Sequence, residues 1–249
     1  MGQCSPSPSS RPSRKLHGRR RGRPLRDRQQ RHLDHCLDDF RIVGVDPAEN
    51  PDRIPLAPDL GPSARPSTGT GTEKPPVWLE IGFGSGEHLL HQAVAHPQVL
   101  FFGCEPFVNG VASLLGKLID RGVGNVRIHP GDVRDLLDVL PPGSIGRVYL
   151  LYPDPWPKRR HHRRRFVTDE YLVPLARAMT PGGTLRIATD IGSYVRQSLE
   201  RVPAGGRFEW LAEGPADWRT PWRDWPSTRY EQKALRESRR PVYLTFRKR

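Results

Sequence analysis

The chain has 249 residues, a formal net charge of +13 and only 35% hydrophobic residues, with 27 prolines, so one sizeable domain with unpacked appendages and a polyanionic partner is expected. No apolar run is long enough for a membrane-spanning helix, which argues against a membrane partner. Cys4, Cys36 and Cys104 stand too far apart for a disulfide framework or a Cys-x-x-Cys metal site, so no metal is expected and a reducing cytoplasm fits.

Residues 1–15 are Ser/Pro/Arg-rich and read as a disordered basic tail. They lack the apolar core of a signal peptide, and prolines at 6, 8, 12 and 24 break the amphipathic helix of a transit peptide. Pro6 also stands where an acylation motif starting at Gly2 needs Ser or Thr. Residues 16–43 form a basic segment with a short helix over 28–40, where Leu33, Leu37 and Phe40 recur at helical spacing. Residues 44–76, rich in Pro, Gly, Ser and Thr, read as a linker.

From residue 77 strands and helices alternate. Strands are predicted at 77–81, 99–104, 125–129, 146–151 and 184–188. Helices are predicted from 87, over 107–121, 133–140 and 165–179, and from 191 to 201. Near-continuous apolar strands between helices predict a parallel sheet covered on both faces. Two late strands, 207–211 and 242–246, are expected to pair antiparallel at one edge.

Leu79-Glu80-Ile81-Gly82-Phe83-Gly84-Ser85-Gly86 is a glycine turn between the first strand and the first helix of that series. A dinucleotide fingerprint needs its third glycine at position 87, which is glutamate. Glu80 would repel a pyrophosphate but suits an amine-bearing ligand. Glu105 ends the second strand 19 residues past Gly86, where an acid bonds ribose hydroxyls. Asp132 follows the third strand, where an adenine amino group could be read. This ordered series, completed by an acid after the fourth strand, suits S-adenosylmethionine, which is cationic and carries no phosphate.

That fourth acid is Asp154, in Tyr152-Pro153-Asp154-Pro155-Trp156-Pro157-Lys158, and the run Arg159-Arg160-His161-His162-Arg163-Arg164-Arg165 follows at once. Two Xaa-Pro steps fix the backbone where a strand ends, and strand carboxyl ends are where open α/β sheets bind ligands. Basic residues concentrate at 11–31, 158–165 and 219–249; these blocks hold 26 basic and 4 acidic residues, against 40 and 27 in the whole chain. A mildly acidic body with three basic patches fits a nucleic-acid enzyme. Trp156, beside prolines, reads as packing rather than stacking, and so does the cluster Trp210, Trp218, Trp222 and Trp225.

The chain resembles the bacterial tRNA (guanine-N7-)-methyltransferases from about Gly18 onward. The resemblance rests on the Glu80 glycine turn, Gly103-Cys104-Glu105-Pro106, Pro153-Asp154-Pro155-Trp156-x-Lys158, Ala188-Thr189-Asp190, Thr228-Arg229-Tyr230-Glu231 and the early Gly18-Arg19-Arg20-Arg21-Gly22-Arg23. It implies a class I, Rossmann-like α/β methyltransferase domain over 77–249, with a mostly parallel seven-stranded sheet and helices on both faces. By the same resemblance, Glu80, Gly82, Gly84, Glu105, Asp132 and Asp154 contact S-adenosylmethionine, and Asp154 is also the catalytic acid. Lys158, Asp190, Thr228, Arg229, Tyr230 and Glu231 contact the substrate, and Arg160, His161, His162, Arg163, Arg164 and Arg165 contact RNA. The implied reaction is methylation of guanosine 46 in the tRNA variable loop. The family's glycine after Thr-x-Tyr-Glu is absent near Ser238-Arg239-Arg240.

Two other readings compete. A methyltransferase for exocyclic amines would carry a short Pro-aromatic motif after the same strand; here a second Pro and a Trp replace it. A non-catalytic RNA-binding module would not need Glu80, Glu105, Asp132 and Asp154 together. The sequence leaves monomer and homodimer equally open.

Overall fold

In the computed structural model, residues 16–56 and 75–249 are described; the proposed tail at 1–15 and the stretch 57–74 lie outside that set. Seven strands form one sheet: β1 (Val77–Ile81), β2 (Leu100–Cys104), β3 (Val126–His129), β4 (Ile145–Leu151), β5 (Met179–Thr189), β6 (Phe208–Trp210) and β7 (Val242–Lys248). Their spatial order is β3-β2-β1-β4-β5-β7-β6. The pairs among β1 to β5 are parallel. β7 runs antiparallel between β5 and β6. The two late strands are therefore antiparallel as expected, with the last one inserted inside the earlier one.

The strands are buried because both faces are covered. Apolar residues of α2 (Glu87–Ala95) and α3 (Val108–Arg121) gather on one face, and Leu33, Leu37 and Phe40 of α1 (Asp27–Phe40) pack against them. Residues of α4 (Val133–Val139), α5 (Asp169–Ala178) and α6 (Gly192–Ala204) gather on the other face. The chain leaves β1 toward β2 and β3, then returns to place β4 on the other side of β1. This reversal creates a crevice at the carboxyl ends of β1 and β4, the expected ligand position in such sheets.

Several boundaries differ from the sequence reading, β5 among them, which starts at Met179 rather than 184. The helix expected at 165–179 is α5, Asp169–Ala178, which starts only after the extended Thr168; the preceding basic run Arg159–Arg164 is a 3₁₀ turn. A short α7 (Ala216–Arg219) and α8 (Arg229–Arg236) are absent from the sequence reading, because both are brief and polar. The described part of the supposed linker, residues 44–56, is packed rather than loose. Ile42 and Val45 are buried in the core. Leu56 N donates to Val139 O at 2.8 Å, and Arg53 reaches Val45 O at 2.6 Å and Asp135 at 3.0 Å. Its three prolines, at 47, 51 and 55, do not prevent Val45 before them and Leu56 after them from packing against the core.

The turn after β1 depends on two glycines. Gly86, at φ +72°, starts α2, and a Cβ there would lie 2.5 Å from Leu114. Gly110, in the first turn of α3, lets that helix approach the turn so closely that a Cβ would lie 2.2 Å from the Gly84 carbonyl oxygen. In a helix, Gly→Ala ordinarily gains up to about 1 kcal/mol. Here the backbone must move instead, at a cost of about 1–3 kcal/mol. Gly110→Ala is therefore expected to lower the melting temperature by a few degrees, measured by circular dichroism, and a raised melting temperature would contradict the close approach.

Candidate active site

Four strand ends converge on one cavity of about 440 Å³, whose walls include Gly82 and Gly84 after β1, Glu105 and Pro106 after β2, Gly131 and Asp132 after β3, and Tyr152 to Asp154 after β4. The size suits a small organic ligand. Leu16, His17, Gly18 and Arg19 close one side. This N-terminal arm is pinned to the start of α3: Val108 N donates to Arg20 O (3.0 Å), Gly22 N to Asn109 Oδ1 (2.7 Å), and Asn109 Nδ2 to Arg23 O (2.8 Å). A Cβ on Gly18 would stand 3.3 Å from Asp154 Oδ2, so the arm passes directly beside the acid.

Glu105 shapes the glycine turn. Its carboxylate accepts from Gly84 N at 2.7 Å and from Phe107 N at 2.9 Å. Burial raises its carboxyl above the usual range, the two backbone donors oppose that, and the charges of Asp154 and Glu80 add to it. Asp154 presents surface to solvent, yet its carboxyl is also raised by desolvation. Both hold, because concave walls remove much of the hydration of a group that water can still touch. Asp132 lines the cavity while capping α4, accepting from Arg134 N (2.9 Å) and pairing with the Arg134 side chain.

The loop carrying Asp154 is held from behind. Arg165 is 1% exposed. Its guanidinium donates to Pro155 O (2.9 Å), Ser193 O (2.9 Å), Ser193 Oγ (2.9 Å) and Gln197 Oε1 (3.1 Å), and lies 5.1 Å over the Tyr194 ring. Tyr152 and Trp156, at φ +46° and +42°, bracket the loop in the left-handed region. Strain of that kind costs about 1–3 kcal/mol per residue and persists where surrounding contacts enforce it.

Several expected roles change on this geometry. Arg165 is turned inward: four of its five N–H donors are bonded inside the protein, and it lines the main cavity rather than the outer surface. Glu80 is 3% exposed, does not line the main cavity, and accepts from His88 Nδ1 at 2.6 Å, so it secures α2 rather than meeting the cavity directly. Asp190 is likewise engaged, by Arg239 at 2.8 Å. Glu231 is 5% exposed, and its carboxylate accepts from Trp225 Nε1 (3.0 Å) and the Tyr243 hydroxyl. Thr228 caps α8, accepting from Glu231 N at 3.2 Å. Of that motif, Tyr230 alone lines the main cavity, while Arg229 lies outside over the Tyr230 ring. Trp222 and Trp225 pack on Tyr243, which makes them core.

Lys158, Arg160 and Arg163 are exposed, and His161 and His162 are half-buried. Arg164 lines the cavity and lies 5.0 Å over the Trp156 ring. Sequence reasoning missed Tyr152 as a site residue, although it adjoins Pro153-Asp154-Pro155. Among the described residues no group of three or more His, Cys, Asp or Glu could hold a metal. Three carboxylates, Glu105, Asp132 and Asp154, share the cavity wall with Arg19, Arg164 and Arg165, so the wall offers acceptors for cationic groups beside donors for an anionic one. That fits a ligand bearing a sulfonium and an ammonium, with Glu105, Asp132 and Asp154 as the side chains to hold it.

Residues 74–244 match the family described as "Putative methyltransferase". A tRNA (guanine-N(7)-)-methyltransferase of Jannaschia sp. (strain CCS1) is 58% identical over 240 residues, covering 96% of this chain and 97% of the relative. That of Paracoccus denitrificans (strain Pd 1222) is 55% identical over 249 residues, the full length of both. A crystal structure of a 16S rRNA (adenine(1408)-N(1))-methyltransferase from Catenulisporales acidiphilia with cosubstrate SAM shares the fold, with a TM-score of 0.50, 17% identity, and coverage of 78% of this chain and 92% of that one. With that fold, that cavity and near-full-length identity to these relatives, the chain belongs to the tRNA (guanine-N(7)-)-methyltransferase family.

Proposed function

We propose that the cavity binds S-adenosylmethionine beside a tRNA guanine and that the protein transfers a methyl group to guanine N7, acting in the cytoplasm on guanosine 46 of the variable loop. The observation that carries this reading is Asp154, fixed between two prolines at the end of β4 on a cavity shared with Glu105 and Asp132. S-adenosylmethionine supplies an electrophilic methyl group.

Guanine N7 has a free in-plane lone pair, so no proton must leave it before reaction. The protein's work is alignment, and a loop held rigid by Arg165 suits that task. Positive charge arrives on the base as the N–CH₃ bond forms, and the Asp154 carboxylate favours it. Glu105 and Asp132 are the acids for the ribose and adenine. The exposed Lys158, Arg160 and Arg163 would hold phosphates, which orient the RNA without reading its sequence.

Asp154→Ala is expected to abolish 7-methylguanosine formation, assayed by nucleoside mass spectrometry, with melting unchanged; activity within a few-fold of native would refute the role. The pH dependence has a sign. Asp154 is raised above the ordinary 3.8, so activity should be full above the raised value and fall as pH drops through it. Ionised, desolvated Asp154 costs folding free energy, so stability should rise over that same fall in pH. Asp154→Asn should remove this stability change, seen in melting scans against pH.

Salt titration of tRNA binding separates surface arginines from Arg165. Replacing Arg160 and Arg163 by Ala should reduce the log–log slope by roughly 0.7–0.9 for each phosphate no longer neutralised. Arg165→Ala should instead lower thermal stability by about 1–3 kcal/mol, because it leaves buried acceptors unpaired. An Arg165 variant that melts normally but binds tRNA with a reduced slope would reverse the assignment.

A further inference from the structure

We propose that Tyr152 and Tyr230 form a slot that takes the target guanine between their rings. The proposal rests on the functional reading above and names the surface that receives the base. The two rings are near-parallel, at 18°, with centroids 6.4 Å apart. That is near the wide end of the about 4.5–7 Å range of ring pairs. Two successive stacking contacts of about 3.5 Å need about 7 Å. A small opening of the pair therefore admits one planar base.

The position is apt. Both rings line the main cavity, where Asp154 stands, and both line a small neighbouring cavity with Glu87 and Thr228. A base between them presents one edge toward the methyl donor's cavity and keeps the opposite edge in polar surroundings. The walls differ in stiffness. Tyr152 N donates to Ala188 O at 2.7 Å, and its hydroxyl is buried beside Tyr243. Tyr230 is 45% exposed in the first turn of α8, with its hydroxyl accepting from Arg229 Nη2 at 3.2 Å. One wall is fixed and the other can swing. The fixed ring is also one of the two residues forced to positive φ around the Asp154 loop, so the strain is coupled to the position of a flat surface. A base drawn out of a folded RNA loses its stacking partners, and aromatic side chains replace them.

The test uses full-length protein and tRNA carrying 2-aminopurine at position 46, whose emission falls when the base is stacked. Native enzyme should keep it quenched on binding, as the base exchanges its RNA stack for the two rings. Tyr230→Leu and Tyr152→Leu should restore emission and reduce kcat by about tenfold or more, the loss expected for a stacked base. S-adenosylmethionine affinity by calorimetry should fall much less than kcat, since the rings also line the cofactor's cavity. Tyr230→Phe and Tyr152→Phe should retain quenching and rate, because the face is kept. If Tyr152→Leu fails to fold, the exposed Tyr230 decides alone. Unquenched emission with native enzyme, or a well-folded Tyr230→Leu that keeps its rate within twofold, would overturn the slot. Formation of 7-methylguanosine on unmodified tRNA tests the functional reading separately: product without quenching removes the slot alone, and quenching without product removes the reaction alone.

Discussion

A single buried cation supports the loop on which the site depends. Among the described residues Arg165 has no carboxylate partner; two carbonyls, one amide oxygen, one hydroxyl and the face of Tyr194 surround its guanidinium. Burying a charge against dipoles alone is costly, and here four of the five N–H donors offset that cost with an acceptor each. Burial lowers the Arg165 pKa from its ordinary value, yet a guanidinium stays protonated. With the cation in place, Pro155 is tied to α6 and Asp154 projects from a fixed turn.

Acids of the opposite sign stand in the cavity wall, beside Arg19 and Arg164. Glu105 and Asp154 are both raised by desolvation, and each ionised acid makes the other harder to ionise. A cationic ligand relieves this repulsion, so the free site carries a bias toward positive charge. Glu105 adds a mechanical link, since the same carboxylate holds Gly84 N and Phe107 N. The electrostatics of the cavity and the shape of the glycine turn thus share one side chain. The N-terminal arm, pinned through Asn109 just past Phe107, closes the same corner.

The strands were legible because parallel, doubly covered strands are apolar runs, and β1, β2 and β3 match their expected spans within a residue. The strand-end acids Glu105, Asp132 and Asp154 were legible for the same reason: strand ends locate them. Arg165 was not, because six basic residues within an eight-residue stretch look alike until the fold buries one. Glu231 was misread for a related reason. Its motif marks importance, but only the position of β7 reveals that Tyr243 and Trp225 consume its carboxylate. Residues 44–56 looked like a linker because their prolines and glycines mask a sparse apolar set, Val45 and Leu56, that packs against the core.

The insertion of β7 between β5 and β6 orders the folding of the chain in time. Among the described residues β6 has no strand partner but β7, so the half-sheet beyond β5 cannot close until residues 242–248 have been synthesised. At about 5–20 residues per second, β5 waits several seconds with an unpaired edge. The Asp154 loop and its Arg165 brace lie upstream and can form in that interval. Tyr243, which anchors Glu231 and packs beneath Tyr152, arrives last. Assembly of the aromatic wall thus reports completion of the sheet, and a nascent chain has the acid of its site before it has the surface beside it.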